Sequence, residues 1–129
     1  MTGRKREKQK QSDNLLFETI IEAIKNKKGK EIVSINLKEI ENSVCEYFVI
    51  CTGDSTIQAS ALADEIRDKT RELANTSVDH IEGLPNSNWV LLDYINIVVH
   101  IFLEDQRKLY QLEDLWGDGV LTNHVDAKK

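Results

Sequence analysis

An α/β fold, a mixed five-stranded sheet with helices packed on it, is predicted by three observations. Helix-period segments over 12–26 and 55–75 alternate with short runs rich in Val, Ile and aromatic residues, and helical spacing returns after Glu104. The stretch Trp89–Glu104 is the richest apolar run of the chain and reads as two strands joined by a tight turn. The resulting order, α-β-β-α-β-β-β-α, has a strand-helix-strand crossover at its centre and hairpins around it, which makes the sheet mixed.

The first helix is capped by Ser12 or Asp13 and runs to about Asn26, with Leu16, Ile20, Ala23 and Ile24 as the stripe that lies on the sheet. Lys25, Lys27 and Lys28 suit its C-terminal dipole, and Gly29 is the expected stop. From Glu31 the period becomes two: Ile32, Ser34 and Asn36 alternate with Val33, Ile35 and Leu37. Lys38–Ser43 is polar and acidic, a loop or a short turn of helix. Tyr47–Cys51 is a continuous apolar run, the pattern of a central strand covered on both faces. In Gly53-Asp54-Ser55, Gly53 supplies backbone freedom, and Ser55 with Gln58 forms a capping box that opens a helix through Ala59, Leu62, Ala63, Ile66 and Leu73. Val78–Ile81 is a short strand. After Glu104, Leu109, Leu112 and Trp116 share a stripe with Leu115 beside it, and Gly117 closes that helix.

In the Trp89–Glu104 hairpin, a two-residue loop Ile95-Asn96 sets Tyr94 against Ile97, Leu92 against Val99, Val90 against Ile101 and Trp89 against Phe102. One face then carries Val90, Leu92, Tyr94, Ile97, Val99, Ile101 and Leu103, a core composition. The other carries Trp89, Leu91, Asp93, Val98, His100, Phe102 and Glu104, which mixes aromatic area with a carboxylate and an imidazole. Burying Asp93, His100 and Glu104 unpaired would cost several kcal/mol, so this face is expected to be exposed and to meet a partner.

At 129 residues the chain supports one domain, and its 40% apolar and 30% charged composition is that of an ordinary globular protein. No apolar run approaches a membrane span and no signal core follows the charged start, so a cytoplasmic protein is expected. Cys45 and Cys51 flank one strand and read as reduced and buried. They share no ligand spacing with His80, His100 and His124, so neither metal nor cofactor is expected. Residues 1–11 hold Arg4, Lys5, Arg6, Lys8 and Lys10 against Glu7 alone, a +4 flexible tail, which leaves −9 on the rest of a chain whose net charge is −5. An acidic body suits a basic protein partner and not direct readout of nucleic acid. The domain is placed at 12–118, with 119–129 a ragged tail.

Two enzymatic arrangements are conceivable. Gly53-Asp54-Ser55 could cradle a phosphate with Asp93 on a metal, as in a metal-dependent nucleotidyltransferase, but no second carboxylate stands one residue from Asp54 on the same strand face. Ser55, His100 and Asp93 could form a triad, yet Ile57 occupies the last glycine position of a nucleophile elbow. A capping loop accounts for the same residues.

Several motifs carry a resemblance: Tyr47-Phe48-Val49-Ile50-Cys51-Thr52-Gly53-x-Ser55, Ala63-Asp64-Glu65, Glu82-Gly83, Trp89-Val90-Leu91-Leu92-Asp93-Tyr94, Val98-Val99-His100-Ile101-Phe102 and Leu109-Tyr110-x-Leu112-Glu113-x-Leu115-Trp116. In this order, from about Asn14 to Asp118, the chain resembles the ribosomal silencing factors, also called RsfS or Iojap. The resemblance implies a nucleotidyltransferase-like fold without its activity. It also implies binding to the fourteenth protein of the large ribosomal subunit, and obstruction of small-subunit joining when nutrients are short. The contact surface it implies is Trp89, Asp93, Tyr94, His100, Phe102, Glu104 and Tyr110; Tyr94 enters through the resemblance alone, because the hairpin register puts it on the core face. A homodimer through the aromatic face is a third reading. The family usually has glycine and aspartate where Ile95-Asn96 stands, and a β-branched residue resists the positive φ of a two-residue loop, so a longer turn with a slipped register is the alternative there.

Overall fold

The sequence folds, in a computed structural model, around a sheet with unlike layers on its two faces. The structure describes residues 2–115 and 119–124, with side chains over 11–114 and 119–124. Elements follow in the order α1 (Thr2–Asn26), β1 (Lys30–Asn36), β2 (Tyr47–Gly53), α2 (Thr56–Ala74), β3 (His80–Glu82), β4 (Trp89–Asp93), β5 (Ile97–Leu103), α3 (Glu104–Tyr110), α4 (Leu112–Leu115) and β6 (Val120–His124). The described strands lie in the order β3-β4-β5-β2-β1-β6. Among the described strands only the β2–β5 pair is parallel; it is the crossover through α2, β3 and β4, and the other pairs are antiparallel.

The α/β class and the mixed sheet are as the sequence indicates, with one strand more than expected. Val120–His124, read from sequence as part of a ragged tail, pairs antiparallel with β1, Asn36 opposite Val120 and Ile32 opposite His124. The link is reinforced by a 2.9 Å hydrogen bond between the Ser34 hydroxyl and His124 Nε2. The first helix also starts earlier than Ser12 or Asp13, at Thr2, because Arg4–Gln11 is a run of good helix formers without proline. At its other end Lys28, not Gly29, takes the left-handed conformation (φ 62°).

One face of the sheet is sealed by α1 and α2. Leu16, Ile20, Ala23 and Ile24 of α1 and Ala59, Leu62, Ala63 and Ile66 of α2 pack with Val49, Cys51, Val90, Leu92, Val99 and Ile101 in a single buried cluster. Each such aliphatic side chain taken from water contributes about 1.5–3 kcal/mol, which makes this layer the main source of stability. The Ser55 half of the capping box is in place, Ser55 Oγ accepting from Gln58 N at 3.1 Å, while Gln58 Oε1 accepts from the N–H of Asp54, one residue before the cap, and not from that of Ser55. Gly53 needs no left-handed backbone; it is glycine because a Cβ there would lie 3.3 Å from the backbone nitrogen of Ala59. Cys45 and Cys51 are buried free thiols, pushed up by burial to about 11 and about 12. Among the described residues no helix is long and apolar enough to cross a membrane.

The opposite face holds a second, smaller cluster of Val33, Ile35, Leu37, Phe48, Ile50, Val98, Phe102 and Leu112, with Trp89 and Leu91 partly buried against it. Its cover is short. The expected single helix after Glu104 is two pieces, α3 and α4, broken where Gln111 takes the left-handed conformation (φ 46°). The break rotates the helical phase, so Leu109 is 70% exposed although Leu112 is buried, and they do not share a stripe. Trp116 and Gly117 lie outside the described residues, as does the side chain of Leu115.

Candidate functional site: an aromatic face on the open side of the sheet

The hairpin has the register that the two-residue loop sets. Trp89 pairs with Phe102, Val90 with Ile101, Leu92 with Val99 and Asp93 with Val98, and Tyr94 N–H donates to Ile97 O at 2.8 Å. The two-residue loop therefore survives its β-branched residue. Ile95 sits at φ 76°, and Asn96 N–H donates to Tyr94 O at 2.9 Å, the hydrogen bond of a positive-φ γ-turn, the rarer and strained form. Such a backbone costs on the order of 1–3 kcal/mol and persists only where its surroundings over-determine it. Here Asp93 Oδ1 accepts from Ile95 N–H at 2.7 Å, and Asn96 O accepts from the Glu46 and Tyr47 amides at 2.9 and 3.1 Å.

At the start of β4, Gly83 positions Trp89. It has φ 91°, and a Cβ there would lie 2.0 Å from Trp89 O, so only glycine lets the Glu82–Asn88 loop turn into the strand. From there the aromatic side chains lean on one another. The Trp89 ring centroid is 4.8 Å from Phe102, 4.4 Å from Tyr110 and 5.9 Å from His100. Phe48 meets His100 edge-on at 4.8 Å. Trp89 Nε1–H donates to His100 Nδ1 at 3.1 Å, which leaves the proton of the neutral ring on Nε2. Nε2 is buried without a hydrogen-bond partner among the described residues. Burial holds the His100 imidazolium down to about 4, so the ring is neutral near pH 7.

The residues expected at the partner surface divide into those the fold exposes and those it does not. Trp89, Leu91 and Asp93 are half-buried on the open side and Tyr110 is 46% exposed. Phe102 and His100 were expected in the open and are instead 1% and 4% exposed. His100 can be buried because a neutral imidazole with one nitrogen satisfied by an indole is far cheaper to bury than an ion. Tyr94 lies in the other layer, where its hydroxyl meets Thr70 Oγ1 of α2 at 2.8 Å; burial pushes its phenol up, and the Thr70 hydrogen bond opposes that shift. Glu104 is the first residue of α3 and not a strand residue, and its carboxylate lies exposed, 3.9 Å from Lys108 Nζ. Leu103 thus ends the alternation one residue early.

Arg107 escaped sequence reasoning. Its side chain is 9% exposed and donates to Glu31 O at 2.6 Å, Thr52 Oγ1 at 2.8 Å and Glu113 Oε2 at 2.8 and 3.2 Å, tying α3 and α4 to the start of β1 and the end of β2. No local spacing marks it, since its partners lie far along the chain or across the break at Gln111. In the Gly53-Asp54-Ser55 turn, the Asp54 carboxylate is 3.2 Å from Lys30 Nζ and Ser55 is engaged in the helix cap.

Comparisons with known proteins meet this geometry. The family model described as "Ribosomal silencing factor during starvation" matches residues 9–129. A ribosomal silencing factor RsfS from Bacillus subtilis is 39% identical over 101 residues, 78% of this chain and 84% of the relative, and one from Halalkalibacterium halodurans is 36% identical over 107 residues, 83% and 90%. The fold superposes on a crystal structure of a Chromobacterium violaceum protein with a TM-score of 0.75 at 33% identity, covering 88% of this chain and 93% of that one. With the motif-bearing strands and the aromatic face all inside the matched span, the chain belongs to the ribosomal silencing factor (RsfS) family.

Proposed function

We propose that this protein binds the large ribosomal subunit through its fourteenth protein and, by occupying space the small subunit needs, lowers translation when nutrients are short. The observation that carries the reading is the half-buried Trp89, backed by Phe102 and flanked by Tyr110, on the side of an acidic body that α3 and α4 cover only in part. A large ring with a rigid backing and one free side is the usual form of a binding anchor. The −9 charge of residues 12–129 favours encounter with a basic ribosomal protein, although the aromatic face supplies most of the affinity. The names of the relatives, ribosomal silencing factors, support a role at the ribosome. The reading needs no chemical step and no cofactor.

In this account Trp89 and Tyr110 meet the partner, Asp93 lies at the edge of the surface, and Phe102 and His100 act from beneath by holding Trp89 in place. Glu104 and Tyr94 are peripheral to it. Trp89→Ala is expected to weaken association with purified large subunits by about 2 kcal/mol, roughly thirtyfold, in a co-sedimentation titration. Wild-type affinity in that variant would count against the aromatic face as the docking surface.

A further inference from the structure

Ile95 is held at φ 76° with its side chain 64% exposed. A β-branched residue is poorly suited to that backbone, and solvent offers its side chain no packing that would offset the strain. The side chain forms part of the wall of a hollow of about 400 Å³ whose lining also includes Val44, Leu91 and Val98. Val44, on the loop before β2, is 69% exposed. The lining is apolar apart from Asp93 and His100, and His100 is neutral near pH 7, so Asp93 brings the hollow its one negative charge. One oxygen of that carboxylate accepts from Ile95 N–H.

A site with aliphatic walls and a single carboxylate is complementary to a long side chain with an apolar stem and a cationic head. We propose that this hollow is a socket for a lysine or arginine side chain of the protein partner, with the stem against Ile95, Leu91 and Val98 and the head at Asp93. Ile95 is then a specificity-determining residue of the interface. The proposal rests on the docking of the aromatic face on a basic ribosomal protein, and it extends that surface along the hairpin from Trp89 to the turn.

Ile95→Gly removes one wall while supplying the residue best suited to the backbone. The melting temperature is expected to hold or rise while association with purified large subunits weakens roughly tenfold. Asp93→Asn keeps an acceptor for Ile95 N–H but loses the charge, and is expected to weaken association about fivefold and to flatten its dependence on salt. Wild-type affinity in both variants would overturn the socket; if Trp89→Ala still bound weakly in the same titration, the ribosomal reading would stand without it. Failure of the wild-type protein to associate with large subunits would overturn both.

Discussion

On one face of the β4–β5 hairpin Val90, Leu92, Val99 and Ile101 are all at 0% exposure beneath α1 and α2; on the other, Phe102 and His100 are buried while Trp89 and Leu91 are covered only in part. The strands and the register are shared, so the difference lies in what covers them. Long helices with an uninterrupted apolar stripe close a sheet face completely. The α3–α4 pair is short and broken at Gln111, and the aromatic side chains beneath it close the remaining area by stacking on one another. On the proposed reading, a face built that way serves stability from its lower tier and recognition from its upper one.

The two tiers can be separated by mutation. Phe102→Ala should cost about 3–5 kcal/mol of folding stability in a denaturant titration, the usual loss for a buried phenylalanine, and Trp89→Ala markedly less. Equal losses would erase the distinction between support and anchor. Acidification probes the same tier through His100. Its ordinary value of 6.5 falls to about 4 in the fold, so the unfolded chain takes up the proton first. Stability is therefore intact above pH 6.5 and declines as the pH falls towards 4, by up to about 3 kcal/mol. His124 is depressed in the same direction, by burial and then by Lys25, so His100→Gln is the control that isolates the larger contribution. An unchanged pH slope in that variant would show that His100 is not the group responsible. The smallest effect belongs to the sealed face: Ser55→Ala removes the cap of α2 and should lower stability by about 1 kcal/mol while leaving association with large subunits unchanged. Lost binding there would mean that the helical layer also takes part in recognition.

The two faces of the hairpin were legible because period-two alternation sorts Val90, Leu92, Val99 and Ile101 from Trp89, His100 and Phe102, whereas the pairing of the strands depended on a two-residue loop that Ile95 left open to a slip. The Ser55 cap of α2 and the apolar stripe of α1 were legible for the same reason, being local patterns. What could not be read depends on contacts distant in the chain. β6 is a short segment of mixed character that becomes a strand because β1 offers it an edge. Arg107 is buried because Glu31, Thr52 and Glu113 converge on it. His100 looked like a surface residue until Trp89 supplied a donor to its ring, and Ile95 looked incompatible with a two-residue loop until Asp93 and β2 fixed the turn around it. Residue types marked the candidate surface, but only packing distinguished Trp89 and Tyr110, which reach outward, from Phe102, His100 and Tyr94, which do not.

The central claim, that this molecule acts by obstructing subunit association, is tested most directly by mixing purified small subunits with large subunits saturated beforehand with the protein and following joining by light scattering. The account predicts that joining is suppressed in proportion to the occupied large subunits and is restored with Trp89→Ala at the same concentration. Full joining while the wild-type protein remains bound would contradict it.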